Sequence, residues 1–204
     1  MRVEKLTNNG QGRILVQFEG GESLRITEEE LLRFDLCTGL DIAPAVVVEL
    51  RQSAARSETR RRAAEMVSAR PLSKRELRKR LQRKGAAEQD AGDAADWLEE
   101  IGAVDDRAYA ALLVRHYSAR GYGEAKLRDE LLRRGVPRAL WEEALAGAPP
   151  AEQTLMKLLR AKHIELPMDE KERRRLSGQL LRRGFSWQEI RAALSLLGEE
   201  LPEE

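Results

Sequence analysis

Few side chains in this chain of 204 residues could do bond-making chemistry. There are two histidines, His116 and His163, one cysteine, Cys37, and an adjacent carboxylate pair, Asp105-Asp106. The histidines stand far apart with no cysteine or aspartate cluster beside them, so no zinc-ligand spacing exists. A lone histidine on a helix is expected to be structural. Asp105-Asp106 sits where a helix begins, and an aspartate there satisfies free backbone N–H groups rather than a metal. Gly20-Gly21 is a turn between strands and is not followed by the Gly-Lys-Ser/Thr of a phosphate loop. No Gly-x-Ser-x-Gly elbow occurs. Cys37 cannot form an internal disulfide, which suits a reducing cytosol, and it reads as a small buried apolar group. The residues therefore predict no enzyme, no cofactor and no metal.

What remains is recognition by charge. The net charge is only +1 although 35% of residues are charged, so distribution matters more than the total. From Arg56 to Lys84 twelve arginines and lysines face three acids, Glu58, Glu65 and Glu76. From Glu88 to Asp106 eight acids follow with no base among them. The basic block is dense enough to contact phosphates. It could equally be a solvated face neutralised by the acidic block. A partner combining protein and nucleic acid would use both signs. Aromatics are 4% of the chain, and Trp97, Trp141 and Trp187 fit helix packing better than base stacking.

The elements that position these charges are written three times. ELRKRLQRKGA (76–86), KLRDELLRRGV (126–136) and RLSGQLLRRGF (175–185) share their leucines: Leu77, Leu127 and Leu176, then Leu81, Leu131 and Leu180. Each ends in a basic pair and a glycine: Arg83-Lys84-Gly85, Arg133-Arg134-Gly135, Arg182-Arg183-Gly184. Leucines four apart mark a helix face, cations suit the last helical turn, and glycine ends it as a left-handed cap. The offsets, 127 − 77 = 50 and 176 − 127 = 49, are those of a stacked helical repeat. In the middle copy the spacing predicts helices over 106–120 (Tyr109, Leu112, Leu113, His116), 126–134 and 137–145, the last with Leu140, Trp141, Ala144 and Leu145 as its stripe. Ser73-Lys-Arg-Glu76 and Ser186-Trp-Gln-Glu189 read as capping boxes. The first copy carries a longer acidic link before Trp97, Leu98 and Ile101.

The N-terminus differs. RVEKLT, RILVQF and SLRI, separated by NNGQG and EGGE, read as a three-stranded meander. Thr27-Glu-Glu-Glu30 then opens a helix carrying Leu31, Leu32 and Phe34. Residues 45–69 are helical, with a break expected near Ser53 or Ser57. The fold expected is mainly α: three tandem three-helix repeats in an elongated array, with a small N-terminal β-meander plus helix. The divisions are 1–43 for meander and helix, 44–56 for a connecting helix, 57–104, 105–147 and 148–197 for the repeats, and 198–204 for an acidic tail. No apolar run reaches the roughly 20 residues of a membrane span, and no signal-peptide core is present. A cytoplasmic monomer is expected.

Pro71-Leu-Ser-Lys-Arg-Glu-Leu-Arg-Lys-Arg-Leu through Gly85, Asp105-Asp-Arg-Ala-Tyr-Ala110, Gly121-Tyr-Gly123, Glu130-Leu131 and Gly135-Val136 resemble the RecX family of bacterial regulatory proteins. So does Lys171 through Leu180 to Arg183-Gly184-Phe185-Ser186. The resemblance covers 57–197, with the 88–96 and 164–169 stretches departing from it. It implies binding to RecA filaments on single-stranded DNA, inhibition of strand exchange, ATP turnover and co-protease activity, and no catalysis or cofactor of its own. Partner-facing residues would be Arg75, Arg78, Lys79, Arg83 and Lys84 in the first repeat, Arg128, Arg133 and Arg134 in the second, and Arg182 and Arg183 in the third. Each could instead serve only helix-end complementarity, worth about 1 kcal/mol or less. Asp105, Tyr109, Gly121 and Gly123 match the family pattern and read as structural. Two other readings stay open: a sequence-independent DNA-binding helical module, and a scaffold that binds only protein.

Overall fold

The computed structural model describes residues 1–10, 12–162 and 167–198. His163, Ile164 and most of the acidic tail lie outside the described residues. The chain divides into two compact units, Met1–Pro71 with Leu77–Val104, and Leu72–Glu76 with the chain from Asp105 onward.

In the first unit, β1 (Val3–Asn8), β2 (Arg13–Phe18) and β3 (Ser23–Thr27) form an antiparallel sheet in the order β1-β2-β3. Alternation in β2 puts Ile14, Val16 and Phe18 on the buried face. Ile26 from β3 joins them, and Leu36, Ile42, Val47, Leu50 and Ala54 close the core. Helix α1 (Glu28–Arg33) starts with the predicted capping box: Glu30 N–H donates to Thr27 Oγ1 at 3.1 Å and Thr27 N–H donates to the Glu30 carboxylate at 2.8 Å. Of the apolar trio expected on α1, Leu32 points to solvent, 79% exposed.

Helix α2 (Pro44–Ala69) runs unbroken through Ser53 and Ser57, and through the division expected at 56/57. The serines are used rather than disruptive. Ser53 Oγ donates to the buried Glu30 carboxylate at 2.8 Å, and Ser57 Oγ donates back to the Ala54 carbonyl. Cys37 is exposed, not buried. It lies in the turn after α1, where Leu36 takes the core position and the Cys37 carbonyl accepts from Leu40 N–H. Helix α3 (Lys74–Arg83) buries Leu77 and Leu81. The acidic link is itself a helix, α4 (Glu88–Glu100). Ala91, Ala94, Ala95 and Leu98 form its buried stripe, so its acids face outward, while Ile101 beyond its end is 59% exposed.

The second unit holds two three-helix bundles. The first comprises α5 (Asp106–Ala119), α6 (Glu124–Arg133), a 3-10 turn (Arg138–Leu140) and α7 (Trp141–Ala146). Its core is Tyr109, Ala110, Leu113 and Val114 against Leu127, Leu131, Val136, Trp141 and Ala144. Leu112 and His116, expected on the apolar stripe of α5, are exposed instead. Pro137 precedes the 3-10 turn rather than opening a helix directly, and Trp141 Nε1–H donates to the Val136 carbonyl at 3.0 Å. Asp105 caps α5 as expected, accepting from the N–H groups of Arg107 and Ala108. The second bundle is α8 (Ala151–Ala161), α9 (Glu170–Arg182) and α10 (Trp187–Ser195), around Leu155, Leu159, Leu176, Leu180, Phe185 and Ile190. The Ser186/Glu189 capping box at α10 is present.

The mainly helical fold with an N-terminal three-stranded sheet is therefore as expected. The helix termini that reveal the repeat are also alike in atomic detail. After α3, α6 and α9 the glycines Gly85, Gly135 and Gly184 have φ of +89°, +74° and +90°. In each case the next residue's N–H reaches back to the second leucine: Ala86 to Leu81, Val136 to Leu131, Phe185 to Leu180. These bonds satisfy carbonyls the helix leaves open.

Candidate partner interface at the helix ends

The basic pair before each glycine splits into two roles. The first member, Arg83, Arg133 or Arg182, is exposed in all three copies. The second member is turned inward in the two copies that have a repeat before them in the chain. Arg183 donates from Nη1 to the Arg120 carbonyl at 3.0 Å and the Gly121 carbonyl at 3.1 Å, with its guanidinium carbon 5.5 Å from the Tyr122 ring centroid. It thereby caps the carbonyl end of α5, where a cation is favoured. Arg134 is half-buried, 3.9 Å from Glu76, and held more basic by the Tyr117 hydroxyl. Lys84, in the first copy, remains exposed.

Main-chain contacts follow the same rule. The Arg134 carbonyl accepts from Ser73 Oγ at 2.5 Å, and Ser73 also takes the Glu76 N–H at the start of α3. The Arg183 carbonyl accepts from Gly123 N–H at 2.9 Å, at the start of α6. Ser73 and Gly123 occupy matching places in successive repeats, as do Arg134 and Arg183. The N-terminus of one second helix thus sits on the C-terminus of the next repeat's second helix. Small residues permit it: a Cβ on Gly123 would lie 2.5 Å from the Gly184 carbonyl oxygen.

The remaining predicted residues fall into two groups. Arg75, Arg78, Lys79, Arg83, Lys84 and Arg182 are exposed. Arg75 lays its stem over Gly135 and Arg78 reaches toward Gly92 of α4, each leaving its charge at the surface. Arg128 and Arg133 are engaged. Arg128 bridges Glu124 at 2.8 Å and Glu142 at 2.9 Å, while Arg133 pairs with the buried Glu130. Burial pushes the Glu130 carboxyl up, but Arg133, Tyr117 and Lys126 outweigh it and hold the group below its ordinary value.

Part of the basic block is internally neutralised. Glu58 gathers Arg61 and Arg62 from its own helix and Arg13 from β2, and its pKa falls from 4.5 to about 2, led by the Arg61 hydrogen bond. Arg60 sits 5.8 Å over the Trp97 ring. The free positive surface of the first repeat accordingly narrows to the outward side of α3. Sequence reading also missed Arg13, Arg120 and Tyr122 as members of these clusters, because their partners lie far away in the chain. Among the described residues no group of three or more His, Cys, Asp or Glu could hold a metal, and no helix is long and apolar enough to cross a membrane.

This arrangement defines a protein of tandem three-helix repeats, with α6 set end on against α9 in the second unit. Residues 105–145 match the family model described as RecX, second three-helix domain, and residues 151–194 match RecX, third three-helix domain. A Chromohalobacter salexigens protein named regulatory protein RecX is 34% identical over 134 residues, 65% of this chain and 88% of that one. A Geobacillus kaustophilus protein of the same name is 31% identical over 189 residues, covering 89% of this chain and 70% of its own. A crystal structure of a regulatory protein RecX shares the fold with a TM-score of 0.71 over 95% of this chain and 98% of that one, at 18% identity. The chain belongs to the RecX family of regulatory proteins, as the motifs between 57 and 197 indicated.

Proposed function

We propose that this protein is a non-enzymatic regulator that binds RecA filaments assembled on single-stranded DNA. There it inhibits recombinase, ATPase and co-protease activity, tempering recombination, DNA repair and the SOS response from the cytoplasm, as a monomer. The observation that supports this most directly is the recurrence, in three copies, of an arginine at the same helix end (Arg83, Arg133, Arg182) in a chain of this family, exposed in each and, among the described residues, paired within its own helix only at Arg133. We take residues 57–104, 105–147 and 148–197 as the three repeats, each offering one such end to a periodic partner. Arg75, Arg78, Lys79, Arg83, Lys84 and Arg182 are the contact residues of this reading. Arg128, Arg133, Arg134 and Arg183 contribute through the shape and charge of the helix ends they organise.

Cosedimentation with RecA filaments, with RecA omitted in a parallel arm and salt varied, tests it. Preference for the filament with inhibited RecA ATPase is the expected result. Equal binding to bare DNA with a steep salt slope would make the chain a general DNA-binding module instead. Binding independent of DNA would make it a protein-only scaffold.

A further inference from the structure

A cleft of about 540 Å³ opens within the second unit, between the C-terminal turn of α5 and the outer face of α8. None of the ten basic residues discussed above lines it. Three other cations do: Arg115, Arg120 and Lys157. Arg115 and Lys157 have no ion-pair or hydrogen-bond partner among the described residues, and no acid lines the cleft. Its walls are apolar, formed by Ala119, Pro149 and Leu158. The floor is fixed, because Leu158 is seated on Gly121, where a Cβ would lie 2.7 Å from Leu158 Cδ2. Two uncharged polar side chains, Gln153 and Thr154, line the cleft as well, and Gln153 is exposed.

We infer that this cleft binds a nucleotide of single-stranded DNA. The size suits one or two nucleotides, and slots of this kind are apolar with a few convergent polar groups. The three rim cations would meet backbone phosphates, the apolar walls a base face, and the Gln153 amide a base edge. The one amide in the lining, Gln153, could read a single base edge, so any sequence preference would be slight. The inference shares the DNA contact of the function proposed above but not its RecA contact, so its test contains no RecA.

Fluorescence anisotropy with a labelled oligothymidylate of about fifteen nucleotides measures the binding. Arg115→Ala with Lys157→Ala should raise Kd by roughly tenfold or more, the size of a lost charged contact. Ala119→Trp, which fills the slot without changing charge, should do likewise. Lys5→Ala with Arg25→Ala, an equal charge change on exposed residues of the sheet, should leave Kd within about twofold. Equal weakening by both cation pairs would reduce the effect to diffuse charge and overturn the site, as would unchanged binding in a folded Ala119→Trp variant. Ultraviolet crosslinking of the same oligonucleotide to the wild-type chain needs no variant. Crosslinks in 115–121 or 153–161 support the cleft, and crosslinks only elsewhere overturn it. Displacement by dTMP at concentrations as low as those of unlabelled oligonucleotide would overturn the assignment to a strand.

Discussion

Gly123 and Gly184 meet backbone to backbone: Gly123 N–H donates to the carbonyl of Arg183, and Ala125 N–H to that of Gly184. Close approach requires both glycines, since a Cβ on Gly184 would lie 2.4 Å from Lys126 N. Gly184 also needs its φ of +90° to end α9, whereas Gly123 has ordinary backbone angles and is glycine for close approach alone. The stacking of the second and third repeats is therefore written into a residue whose role no local rule reveals.

Gly123→Ala should then destabilise the chain through overpacking against backbone, which cannot swing aside as a side chain would. A cost of about 3 kcal/mol is expected. Gly85→Ala is the control. A Cβ there meets nothing within 4 Å, so only the strain of a left-handed alanine at φ +89° remains, about 1 kcal/mol. Urea unfolding of the two variants measures the difference, and equal costs would remove close approach as the reason for glycine at 123.

Arg182 and Arg183 are neighbours with opposite expected phenotypes. Arg183→Ala removes two bonds to the carbonyls of Arg120 and Gly121 and a contact with Tyr122, so it should lower stability by about 1–2 kcal/mol. Arg182→Ala removes an exposed cation and should change stability by less than about 0.5 kcal/mol. Filament binding should respond in reverse, falling in the folded Arg182→Ala chain at a temperature where both variants remain native. Thermal melts beside cosedimentation would show it.

Lys79→Glu combined with Lys84→Glu carries the same logic to the first repeat. Both side chains are exposed, so the double variant should melt like the wild type and inhibit RecA ATPase less. Unchanged inhibition in the folded variant would remove this side of α3 from the mechanism.

Much of this was legible before any coordinates, because the signals were local. Leucines four apart, a basic pair and a glycine fix a helix end in any context, and the capping residues Thr27, Asp105 and Ser186 did what their positions implied. What escaped was either weakly apolar or distant. The stripe of α4 is three alanines and one leucine, too faint to stand out among acids, so a helix looked like a link. Cys37 was placed inside by residue type, although its neighbour Leu36 fills that place. Arg183 and Arg134 resembled Arg182 and Arg133 in sequence, but Arg183 is drawn in by carbonyls and a ring some sixty residues away and Arg134 by Glu76 and the Tyr117 hydroxyl. The charge block was read as one surface, yet Glu58 withdraws Arg61 and Arg62 from it.

That withdrawal has a pH signature. Glu58 lies on α2 and pairs with Arg13 of β2, so it ties the sheet to the long helix. Its carboxyl titrates near 4.5 when unpaired and at about 2 in the fold. A depressed carboxylate contributes stability that is complete above the unfolded value and is lost as pH falls toward the folded one. The loss from this residue should therefore run between pH 4.5 and about 2. The carboxylate is 26% exposed, so solvent screening limits the contribution to about 1 kcal/mol. Glu58→Gln keeps the shape and removes the charge. Its thermal midpoint should lie below that of the wild type at pH 6 and approach it as pH drops through this window, a convergence that parallel melts would record. Parallel curves with a constant gap would mean that the arginines stabilise this junction without the charge on Glu58.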